Sequence, residues 1–551
     1  MGEKPVAVSA WAHYATDALL RDGTSIRIRA IGPDDKASLL DHFRRLSPES
    51  VHFRFFIFKK TLSEAELAYF TEIDFVDHAA LAATLREGGE ERFIGVARYI
   101  RSGRGGRREG AEAAFAVEDA HQGLGIGTLL LEHLARIASA NGITRFEADV
   151  LPENRRMLEV FERSGFRVQE TLGTGVVHAW FPIEETEEAL EASDRRFMRA
   201  AAASVRGLFH PRSVAVIGAS RDPRSIGAAL VANLKRDGFT GTIYPVNPHA
   251  RTIEGLPCFP SVSAIGKPID LGIVAVPAAA VEAVVRECAA AGAKGVVVIS
   301  AGYAEVSPEG REAQRRLREL VRGSGMRMIG PNCMGIMNTD PAVSLNGTFA
   351  PVFPLPGNIG MLSQSGALGI AILDYSRALR LGLSSFASVG NKADVSGNDL
   401  LAYWKDDPRT GVIALYLESF GNPRRFARLA PEVARKKPIV AVKSGRSAPG
   451  TRAASSHSAA LACLDVAVDA LFEQAGVIRT ETLEDLFDVV SLLSTQPVPP
   501  GPRVGIVTNA GGPGILLADA CDARGLSLPE LRPETLRSLR AFLPAEAGLR
   551  N

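Results

Sequence analysis

The sequence predicts an α/β protein built from several domains, and three observations support this. The length of 551 residues corresponds to three or four domains at about 150 residues each. In several places an apolar strand runs into a turn rich in glycine or serine, and a helix follows. Residues 184–206 are charged, rich in alanine and free of glycine and proline, a composition typical of a helix that links two domains.

These patterns place the domain boundaries. We expect an N-terminal lead-in, a first domain, a helical linker, two further α/β domains and the start of another domain. The corresponding residues are 1–22, 23–183, 184–206, 207–345, 357–495 and 502–551. The last segment contains too few strands to close a core, so we interpret that domain as incomplete and the sequence as truncated.

Composition excludes several classes of protein. The formal net charge of +1 gives no electrostatic signature of a nucleic-acid partner or of binding to an acidic membrane. The five cysteines show neither metal-ligand spacing nor a disulfide framework. The first 16 residues do not resemble a signal peptide, and apolar runs such as 271–276 are too short to span a bilayer. We therefore expect a soluble cytoplasmic protein without a metal site.

The elements at the start of the first domain follow from periodicity and capping residues. Residues 1–19 are expected to be loosely ordered, and Ser47 is expected to cap a helix that Pro48 begins. The run 51–58 is dense in phenylalanine and basic residues. We assign it to core packing, with a wall for the acyl acceptor as the alternative. The other predicted elements are a strand over 24–30, a helix over 33–46, strands over 80–86 and 92–100, and a hairpin tip over 101–110.

A glycine-rich turn is the central feature of the first domain. It lies between a strand over 113–117 and a helix over 129–141, and it reads Gln122-Gly123-Leu124-Gly125-Ile126-Gly127-Thr128. Glycines lack the Cβ atoms that keep a backbone away from a ligand, and the first amides of a helix have no intrahelical acceptor. The turn therefore predicts a site for an anion such as a pyrophosphate, with a plain tight turn as the alternative.

The segment after this turn carries a family resemblance. A strand over 146–150 is followed by Asn154 and by a helix that ends in Gly165-Phe166. This order and spacing, over about residues 20–183, resembles the GNAT family of N-acetyltransferases. The resemblance implies an α+β GNAT fold that binds acetyl-CoA. The residues it assigns to the cofactor and the thioester are Val117, Gln122, Gly123, Gly125, Gly127, Thr128, Asn154 and, more loosely, Phe161.

The family often has a tyrosine at the place of Phe161, where it protonates the leaving thiolate. Phenylalanine has no proton to donate, so the resemblance does not assign that role here.

Glu112 is the candidate general base. A free lysine has a pKa of about 10.4, so a base is needed to supply the neutral amine at neutral pH. Lysine acetyltransferases of this family place their base at the position that matches Glu112. Glu118 and Asp119 are alternatives, but they lie where the pyrophosphate would arrive and would repel it. A solvated glutamate without a catalytic role is the further alternative.

The second domain shows regular strand–helix alternation. Its predicted strands cover 213–218, 242–248, 271–277, 295–300 and 327–330. This alternation predicts a doubly wound parallel sheet that binds its ligand at the carboxyl ends of the strands. The turn at Gly218 lacks the Gly-x-Gly-x-x-Gly spacing, and no acidic residue follows the second strand, so we do not expect NAD.

The strand ends of this domain carry a second resemblance. They read Gly218-Ala219-Ser220, Val246-Asn247-Pro248, Val276-Pro277, Ser300-Ala301-Gly302 and Gly330-Pro331-Asn332-Cys333. In this order they resemble the Rossmann-like CoA-binding domain of NDP-forming acyl-CoA synthetases and succinyl-CoA synthetase. The resemblance implies that CoA is bound by Gly218, Ser220, Asn247, Pro248, Val276, Pro277, Ser300 and Asn332. Cys333 has no histidine or acid beside it in sequence, so we favour a structural role over that of a nucleophile.

The third domain begins at Gly357 and resembles the flavodoxin-like domain of the same synthetases. Residues 358–369 form a strand, a serine- and glycine-rich turn and a helix, and further strand ends lie at 388–394, 416–419 and 442–447. In the synthetases a histidine that matches His457 is phosphorylated and passes the phosphoryl group to ADP, and a glutamate that matches Glu418 orients it.

The loop around His457 departs from the family pattern. It reads Ser456-His457-Ser458-Ala459, where the family usually has Ser-His-Thr-Gly. The alanine in place of glycine stiffens the loop. A vestigial histidine in a regulatory domain is therefore the alternative to a phosphorylated one.

A further α/β unit starts at Arg503. We predict a strand over 504–508, a turn over 509–514 and a helix to about 524. In the synthetase family such a unit leads into an ATP-grasp domain. We expect that domain to be missing or to be a separate subunit, and ATP or ADP with Mg²⁺ would be required only with it.

The two resemblances together define the functional prediction. We expect an acetyl-CoA-dependent N-acetyltransferase of protein lysines, joined to a synthetase-like CoA-binding module that regulates it, as in bacterial protein acetyltransferases that modify acyl-CoA synthetases. Two alternatives remain: a subunit of an NDP-forming acyl-CoA synthetase that uses His457, and a non-catalytic CoA sensor. The expected partners are lysine-bearing proteins and an ATP-grasp subunit, and formation of a homo-oligomer is left open.

Overall fold

The computed structural model describes residues 10–87, 90–102, 109–445 and 465–549. The chain divides into two units, Met1–Ser491 and Leu492–Asn551. The larger unit contains an eight-stranded, a five-stranded and a seven-stranded sheet, which confirms the predicted α/β fold with several domains. None of the helices in the described ranges has the length and apolar character needed to cross a membrane.

The first domain is built on the eight-stranded sheet. Its strands are β1 (Ala15–Leu19), β2 (Ser25–Ala30), β3 (His78–Glu87), β4 (Glu90–Arg101), β5 (Gly110–Val117), β6 (Arg145–Val150), β7 (Gln169–Leu172) and β8 (Val177–Pro182). They are ordered β1-β2-β3-β4-β5-β6-β8-β7, and only β5 and β6 run parallel. The prediction of loose order was wrong for 15–19, because pairing of β1 with β2 is a long-range contact that local sequence does not reveal.

Helices cover both faces of this sheet. They are α1 (Lys36–Arg45), α2 (Pro48–Phe55), α3 (Glu64–Thr71), α4 (Ile126–Ala140) and α5 (Arg155–Glu162). Successive residues of β3 alternate between the faces, so that Leu81 packs in the cluster of α4 and Ala82 in that of α1. Ser47 caps α2 as predicted, since its hydroxyl accepts a hydrogen bond from the Ser50 amide at 3.1 Å.

The parallel pair β5 and β6 opens like a wedge. The two strands pair only over 110–112 and 145–147. Beyond this point β5 continues to 117 and β6 to 150 without pairing to each other. The opening leads directly to the glycine-rich turn, so a ligand can enter between the strands.

The predicted linker helix is present as α6 (Glu187–Phe209), but it is packed against its neighbours. Met198, Ala201, Val205 and Leu208 of this helix are buried in a cluster that they share with the second and third domains. The helix is therefore a structural part of the C-terminal module.

The second domain contains the five-stranded sheet. Its strands are β9 (Ser213–Ile217), β10 (Thr242–Val246), β13 (Leu271–Val274), β14 (Gly295–Val298) and β15 (Arg327–Ile329), with the short pair β11 (Thr252–Ile253) and β12 (Leu256–Pro257) beside them. The order is β10-β9-β13-β14-β15, and all neighbours are parallel, as predicted. The helices are α7 (Ile226–Arg236), α8 (Ala278–Ala290) and α9 (Pro308–Gly323).

The third domain contains the seven-stranded sheet. Its strands are β16 (Gly335–Asn338), β17 (Leu345–Thr348), β18 (Pro356–Ser363), β19 (Leu383–Ser388), β20 (Val412–Leu417), β21 (Ile439–Lys443) and β22 (Val477–Thr480). They are ordered β17-β16-β19-β18-β20-β21-β22; β16 is antiparallel to both of its neighbours, and all other neighbouring pairs are parallel. The helices are α10 (Gly366–Ala378), α11 (Gly397–Asp406), α12 (Pro423–Ala434), α13 (Asp465–Ala475) and α14 (Leu483–Thr495).

A buried ion cluster joins these two domains to α6. The Arg327 guanidinium, 1% exposed, donates to Asp394 at 2.9 Å, to Asp399 at 3.0 Å and to the Ser204 hydroxyl at 2.5 Å. These partners hold the Arg327 pKa above its ordinary value and the Asp394 pKa below, so both stay charged. Removal of one partner from such a cluster leaves a buried charge uncompensated, so the cluster fixes the relative positions of its elements.

The smaller unit contains α15 (Gly511–Ala523) and α16 (Pro533–Arg540). The predicted helix after the glycine turn is confirmed. The predicted strand over 504–508 is not, because the described residues of this unit contain only an isolated bridge between Arg503 and Ser527. A segment becomes a strand only where it forms a continuous ladder with a neighbour, and the extent of such pairing cannot be read from apolar periodicity.

Candidate functional site

The glycine-rich turn has the geometry of an anion cradle. Gly123 and Gly125 have φ angles of +81° and +94°, which favour glycine, and a Cβ at either position would find no atom within 4 Å. The first hydrogen bond of α4 runs from the Leu129 amide to the Gly125 carbonyl at 3.1 Å. The amides of the intervening residues have no intrahelical acceptor and are available to a ligand.

Gln122 ties this turn to its surroundings. Its Nε2 donates to the Val117 carbonyl and to the Ser50 hydroxyl, each at 3.1 Å. Its Oε1 accepts from Arg156, and Arg155 and Arg156 both line the cavity in front of the turn. These cations add to the helix dipole, so the site favours a phosphate-bearing ligand.

A cavity of about 620 Å³ extends from the turn into the wedge between β5 and β6. The structure brings all the residues predicted for the first domain to its lining. They are Glu112, Val117, Gln122, Gly123, Gly125, Gly127, Thr128, Asn154 and Phe161.

Of the three carboxylates considered for the general base, Glu112 is the one that makes no hydrogen bond or ion pair among the described residues. It is exposed on β5 and lines the cavity. Glu118 is buried in ion pairs with Arg45 at 3.2 Å and with Arg92. Asp119 accepts hydrogen bonds from the amide of Ser47 at 2.9 Å, its hydroxyl at 2.8 Å and the hydroxyl of Ser50 at 2.9 Å.

The two residues predicted near the thioester differ in what they present to the cavity. Asn154 caps α5, because its Oδ1 accepts from the Met157 amide at 3.2 Å, which leaves its Nδ2 donors for a ligand. Phe161 is fully buried, with its ring centroid 5.1 Å from that of Phe181. Phe161 is therefore a core residue in the wall of the cavity.

Sequence reasoning did not single out Arg54. It lies in α2, and its side chain lines the same cavity as Glu112. The signal was the basic and aromatic composition of the run 51–58, which also suits a core helix.

A second cavity, of about 1030 Å³, lies between the carboxyl ends of strands from the five- and seven-stranded sheets. Four of the predicted residues line it: Val276, Ser300, Asn332 and Glu418. The other residues predicted for CoA lie at the carboxyl ends of β9, β10 and β13 but outside this lining. They are Gly218, Ser220, Asn247, Pro248 and Pro277.

Local contacts fix the strand ends around this cavity. Gly218 has a φ of +90°, and a Cβ there would lie 2.3 Å from the Ala275 carbonyl oxygen. Asn247 donates to the Ala219 carbonyl at 2.6 Å, and the Asn332 amide donates to the Ser300 carbonyl at 2.9 Å. These contacts connect the loops that follow neighbouring strands at this edge of the sheet.

Lys392 is a further residue of this cavity that sequence reasoning did not assign. Its Nζ donates to the Ser419 carbonyl at 2.7 Å and to Gln364 Oε1 at 3.4 Å. Burial lowers the Lys392 pKa to about 8, and the nearby Glu418 carboxylate opposes this shift. His457 lies outside the described residues.

Cys333 is not suited to act as a thiol nucleophile at this cavity. Cys333 is buried, its Sγ lies 3.3 Å from the Val298 carbonyl, and burial raises its pKa to about 12, so it remains a thiol. In the part of the chain that the structure describes, no group of histidine, cysteine and acidic side chains is arranged to hold a metal ion.

Three family models match the chain in succession. The acetyltransferase (GNAT) family matches residues 48–166, a CoA-binding domain matches 212–339, and a succinyl-CoA ligase-like flavodoxin domain matches 356–493.

Individual relatives show the same division. The alpha subunit of ADP-forming acetate–CoA ligase I from Pyrococcus furiosus is 44% identical over 352 residues, which are 63% of this chain and 76% of the relative. The dinucleotide-forming acetyl-coenzyme A synthetase 1 of Candidatus Korarchaeum cryptofilum, solved with phosphate and ADP, is 39% identical with a TM-score of 0.60. That match covers 63% of this chain and 74% of the solved chain.

The first domain has its own relative. An acetyltransferase of Pseudomonas aeruginosa is 33% identical over 147 residues, which are 27% of this chain and 77% of the relative. The chain spans about half the length of the ADP-forming acetate–CoA ligases of Methanocaldococcus jannaschii and Archaeoglobus fulgidus, at 48% and 49%.

Proposed function

Since the chain belongs to two families, the GNAT acetyltransferases and the NDP-forming acyl-CoA synthetases, we propose that it transfers acetyl groups from acetyl-CoA to lysine side chains of proteins. One observation carries the proposal. A single cavity joins a glycine turn suited to pyrophosphate with Glu112, a carboxylate that makes no hydrogen bond or ion pair among the described residues.

The turn binds the pyrophosphate of acetyl-CoA in this proposal. The first amides of α4 donate to it, and Arg155 and Arg156 neutralise its charge. The pantetheine arm then follows the wedge between β5 and β6, where Asn154 donates from its Nδ2. Unpaired backbone amides of β5 beyond Glu112 are available to polarise the thioester carbonyl.

Glu112 removes a proton from the lysine ammonium, and the neutral amine attacks the thioester carbonyl. The nitrogen loses its second proton to water, the carbon–sulfur bond breaks with the acetyl group kept on the nitrogen, and CoA leaves as a thiolate that solvent protonates. A thiol has a pKa of about 8.5, so its thiolate leaves readily without a general acid. The reaction therefore does not need a proton donor at the position of Phe161.

The test uses the full chain, labelled acetyl-CoA and a cell lysate, with acetyl-lysine detected by mass spectrometry. We expect Gly125→Glu to abolish acetyl-CoA binding and transfer, because its carboxylate enters the anion cradle and its φ of +94° disfavours any side chain. Gly142→Glu is the matched control, since Gly142 also has a positive φ of +77° and open space but lies outside the cavity. Transfer that persists in Gly125→Glu would contradict the proposal.

The second cavity supports a regulatory role for the C-terminal module. We propose that it binds CoA or an acyl-CoA through residues that include Ser300, Asn332 and Lys392. The fraction of chains with ligand in this cavity would then depend on the concentration of CoA or acyl-CoA.

A second candidate function is that of a synthetase subunit. The observation in its favour is the grouping of Lys392, Glu418 and Asn332 around one cavity, in a chain similar to synthetase alpha subunits. Phosphorylation of His457 would require an ATP-grasp partner. Addition of such a partner should produce ADP-dependent acyl-CoA turnover that His457→Asn eliminates, and no turnover with any partner would exclude this function.

A further inference from the structure

The acceptor end of the GNAT cavity is lined by an arginine, Arg54, that has a second arginine beside it. Arg54 in α2 lines the cavity beside Glu112 and also lines a small cavity of about 40 Å³ shared with Arg98 of β4. Within the described ranges Arg54 makes no hydrogen bond and no ion pair, and its guanidinium carbon lies 5.0 Å from the Phe55 ring centroid. The charge of Arg54 is therefore not compensated by a contact.

Arg98 adds a second positive charge next to that of Arg54. Its side chain is buried, donates to the Phe70 carbonyl at 3.2 Å and lies 4.2 Å from the Phe70 ring centroid. Its other neighbour, His78 at 3.3 Å, is neutral, because burial and the charge of Arg98 lower the His78 pKa to about 4. No carboxylate contacts Arg98 in the described part of the chain.

Arginine side chains stay protonated in proteins, so both groups are cations at neutral pH. Burial lowers the Arg98 pKa to about 9, with the charge of Arg54 as the second cause, and burial also lowers the Arg54 pKa, against the attraction of Glu112. The charge of Arg54 thus interacts with a second guanidinium, that of Arg98, and with a single carboxylate, that of Glu112. Burial of a positive charge without an ion-pair partner costs free energy. The two arginines therefore favour a ligand that brings a further negative charge.

The surface next to Arg54 indicates a macromolecular acceptor. Residues 56–58 follow α2 and expose large apolar side chains, with Phe58 79% exposed and Ile57 59% exposed. Phe56 also lines the cavity. Exposed apolar groups at the mouth of a site are typical of a protein contact.

We propose that Arg54 selects the protein acceptor by binding a carboxylate next to the acceptor lysine. This inference rests on the proposed function and names its substrate class: a lysine in an acidic segment. The guanidinium forms a bidentate pair with the aspartate or glutamate of the acceptor, which places the lysine amine near Glu112. Apolar residues of the same segment contact residues 56–58.

Arg98 is a positioning residue in this scheme, since like-charge repulsion directs the Arg54 guanidinium toward the larger cavity.

The test compares two peptides that differ only in whether aspartate or asparagine flanks the lysine. With the full chain we expect kcat/KM to be about tenfold or more higher for the acidic peptide, mainly through KM, as for a charge-assisted hydrogen bond. Arg54→Gln should remove this preference, leave acetyl-CoA affinity unchanged and affect the asparagine peptide little. Arg54→Lys should keep part of the preference, because the charge remains but the bidentate geometry is lost.

Arg44→Gln is the matched control, because Arg44 is exposed on the neighbouring helix α1 and lies outside both cavities. Equal kcat/KM for the two peptides in the unchanged protein, or an equal loss for both in Arg54→Gln, would overturn the inference. Absence of transfer to both peptides and to all lysate proteins would instead overturn the proposed function, and this inference with it.

Discussion

At the scale of single residues, the environment of each carboxylate decides its use. Glu112, Glu118 and Asp119 lie within eight residues of one another on the chain. Glu118 forms ion pairs with two arginines, and Asp119 accepts hydrogen bonds from residues at the start of α2. A base must be free to take up a proton, so Glu112 is the carboxylate suited to that task.

We predict that Glu112→Gln lowers turnover by about 10²- to 10⁴-fold and leaves acetyl-CoA affinity nearly unchanged. The amide keeps the shape of the side chain but cannot accept the proton. Steady-state kinetics with a fixed lysine acceptor measure the first effect, and calorimetric titration measures the second.

Glu162→Gln serves as the control, since Glu162 is an exposed carboxylate of α5 outside the cavity. A small loss of turnover in Glu112→Gln, equal to that of the control, would assign the proton to another acceptor.

A second prediction at this scale concerns Lys392. Its pKa of about 8 means that it is a cation below that pH and neutral above it. The affinity of the second cavity for CoA should therefore fall as the pH rises through about 8, by roughly tenfold for the loss of a charge-assisted contact.

Titration of CoA binding on both sides of this pH measures the effect. Lys392→Arg should bind with an affinity that does not change over the same range, because arginine keeps its charge. The same decline in Lys392→Arg as in the unchanged chain would show that Lys392 is not responsible.

At the scale of elements, the turns after parallel strands are fixed by close backbone approach. Gly218 ends β9, has a φ of +90° and comes so near to Ala275 that a Cβ would lie 2.3 Å from its carbonyl oxygen. Gly238, after α7, has a similar φ of +77° but no atom within 4 Å of a Cβ. An alanine would therefore be strained by the backbone conformation at both positions, but its Cβ would clash with a neighbouring atom only at position 218.

We predict that Gly218→Ala destabilises the protein clearly more than Gly238→Ala. In Gly238→Ala, the control, the free energy of unfolding should fall by about 1–2 kcal/mol, because alanine disfavours the left-handed backbone. In Gly218→Ala it should fall further, because β9 and β13 must also move apart. Thermal denaturation of the two variants compares them. Equal melting temperatures would mean that the loop after β9 relaxes at no cost.

At the scale of the whole molecule, α6 connects the acetyltransferase to the CoA-binding module. One face of α6 is buried in the C-terminal core, and Gly23 of the first domain approaches it so closely that a Cβ would lie 2.4 Å from the Ser204 amide. Ser204 also accepts from Arg327, which pairs with Asp394 of the third domain. A change at the second cavity therefore has a continuous path of packed groups to the first domain.

We predict that this path couples the two cavities. The acetyl-CoA dependence of transfer should be sigmoidal or biphasic in the full chain, with a coupling of about five- to 150-fold in affinity. Ala367→Glu should make it hyperbolic, because Ala367 lies in the first turn of α10 in the second cavity, where a carboxylate repels CoA.

Ala371→Glu is the control one turn further along the same helix, outside the cavity. Identical saturation curves for the unchanged chain and both variants would remove the regulatory role and leave the second module as a docking surface or a synthetase half.

The sequence alone determined the order of the domains, the glycine turn and most of the residues that meet there. Glycine spacing, apolar alternation and capping residues such as Ser47 act over a few residues, so they can be read without a fold. For this reason the prediction placed the anion cradle on α4 and the candidate base on β5.

Only the tertiary structure decided which charges are compensated and which surfaces are free. Whether Glu118 is occupied while Glu112 is not, and whether Arg54 and Arg98 lie side by side, depends on α1 and α2 packing on β4 and β5. The same holds for α6, whose alanine-rich sequence suits an exposed linker but which is buried against α11. Such contacts join residues far apart in sequence, and local pattern carries no information about them.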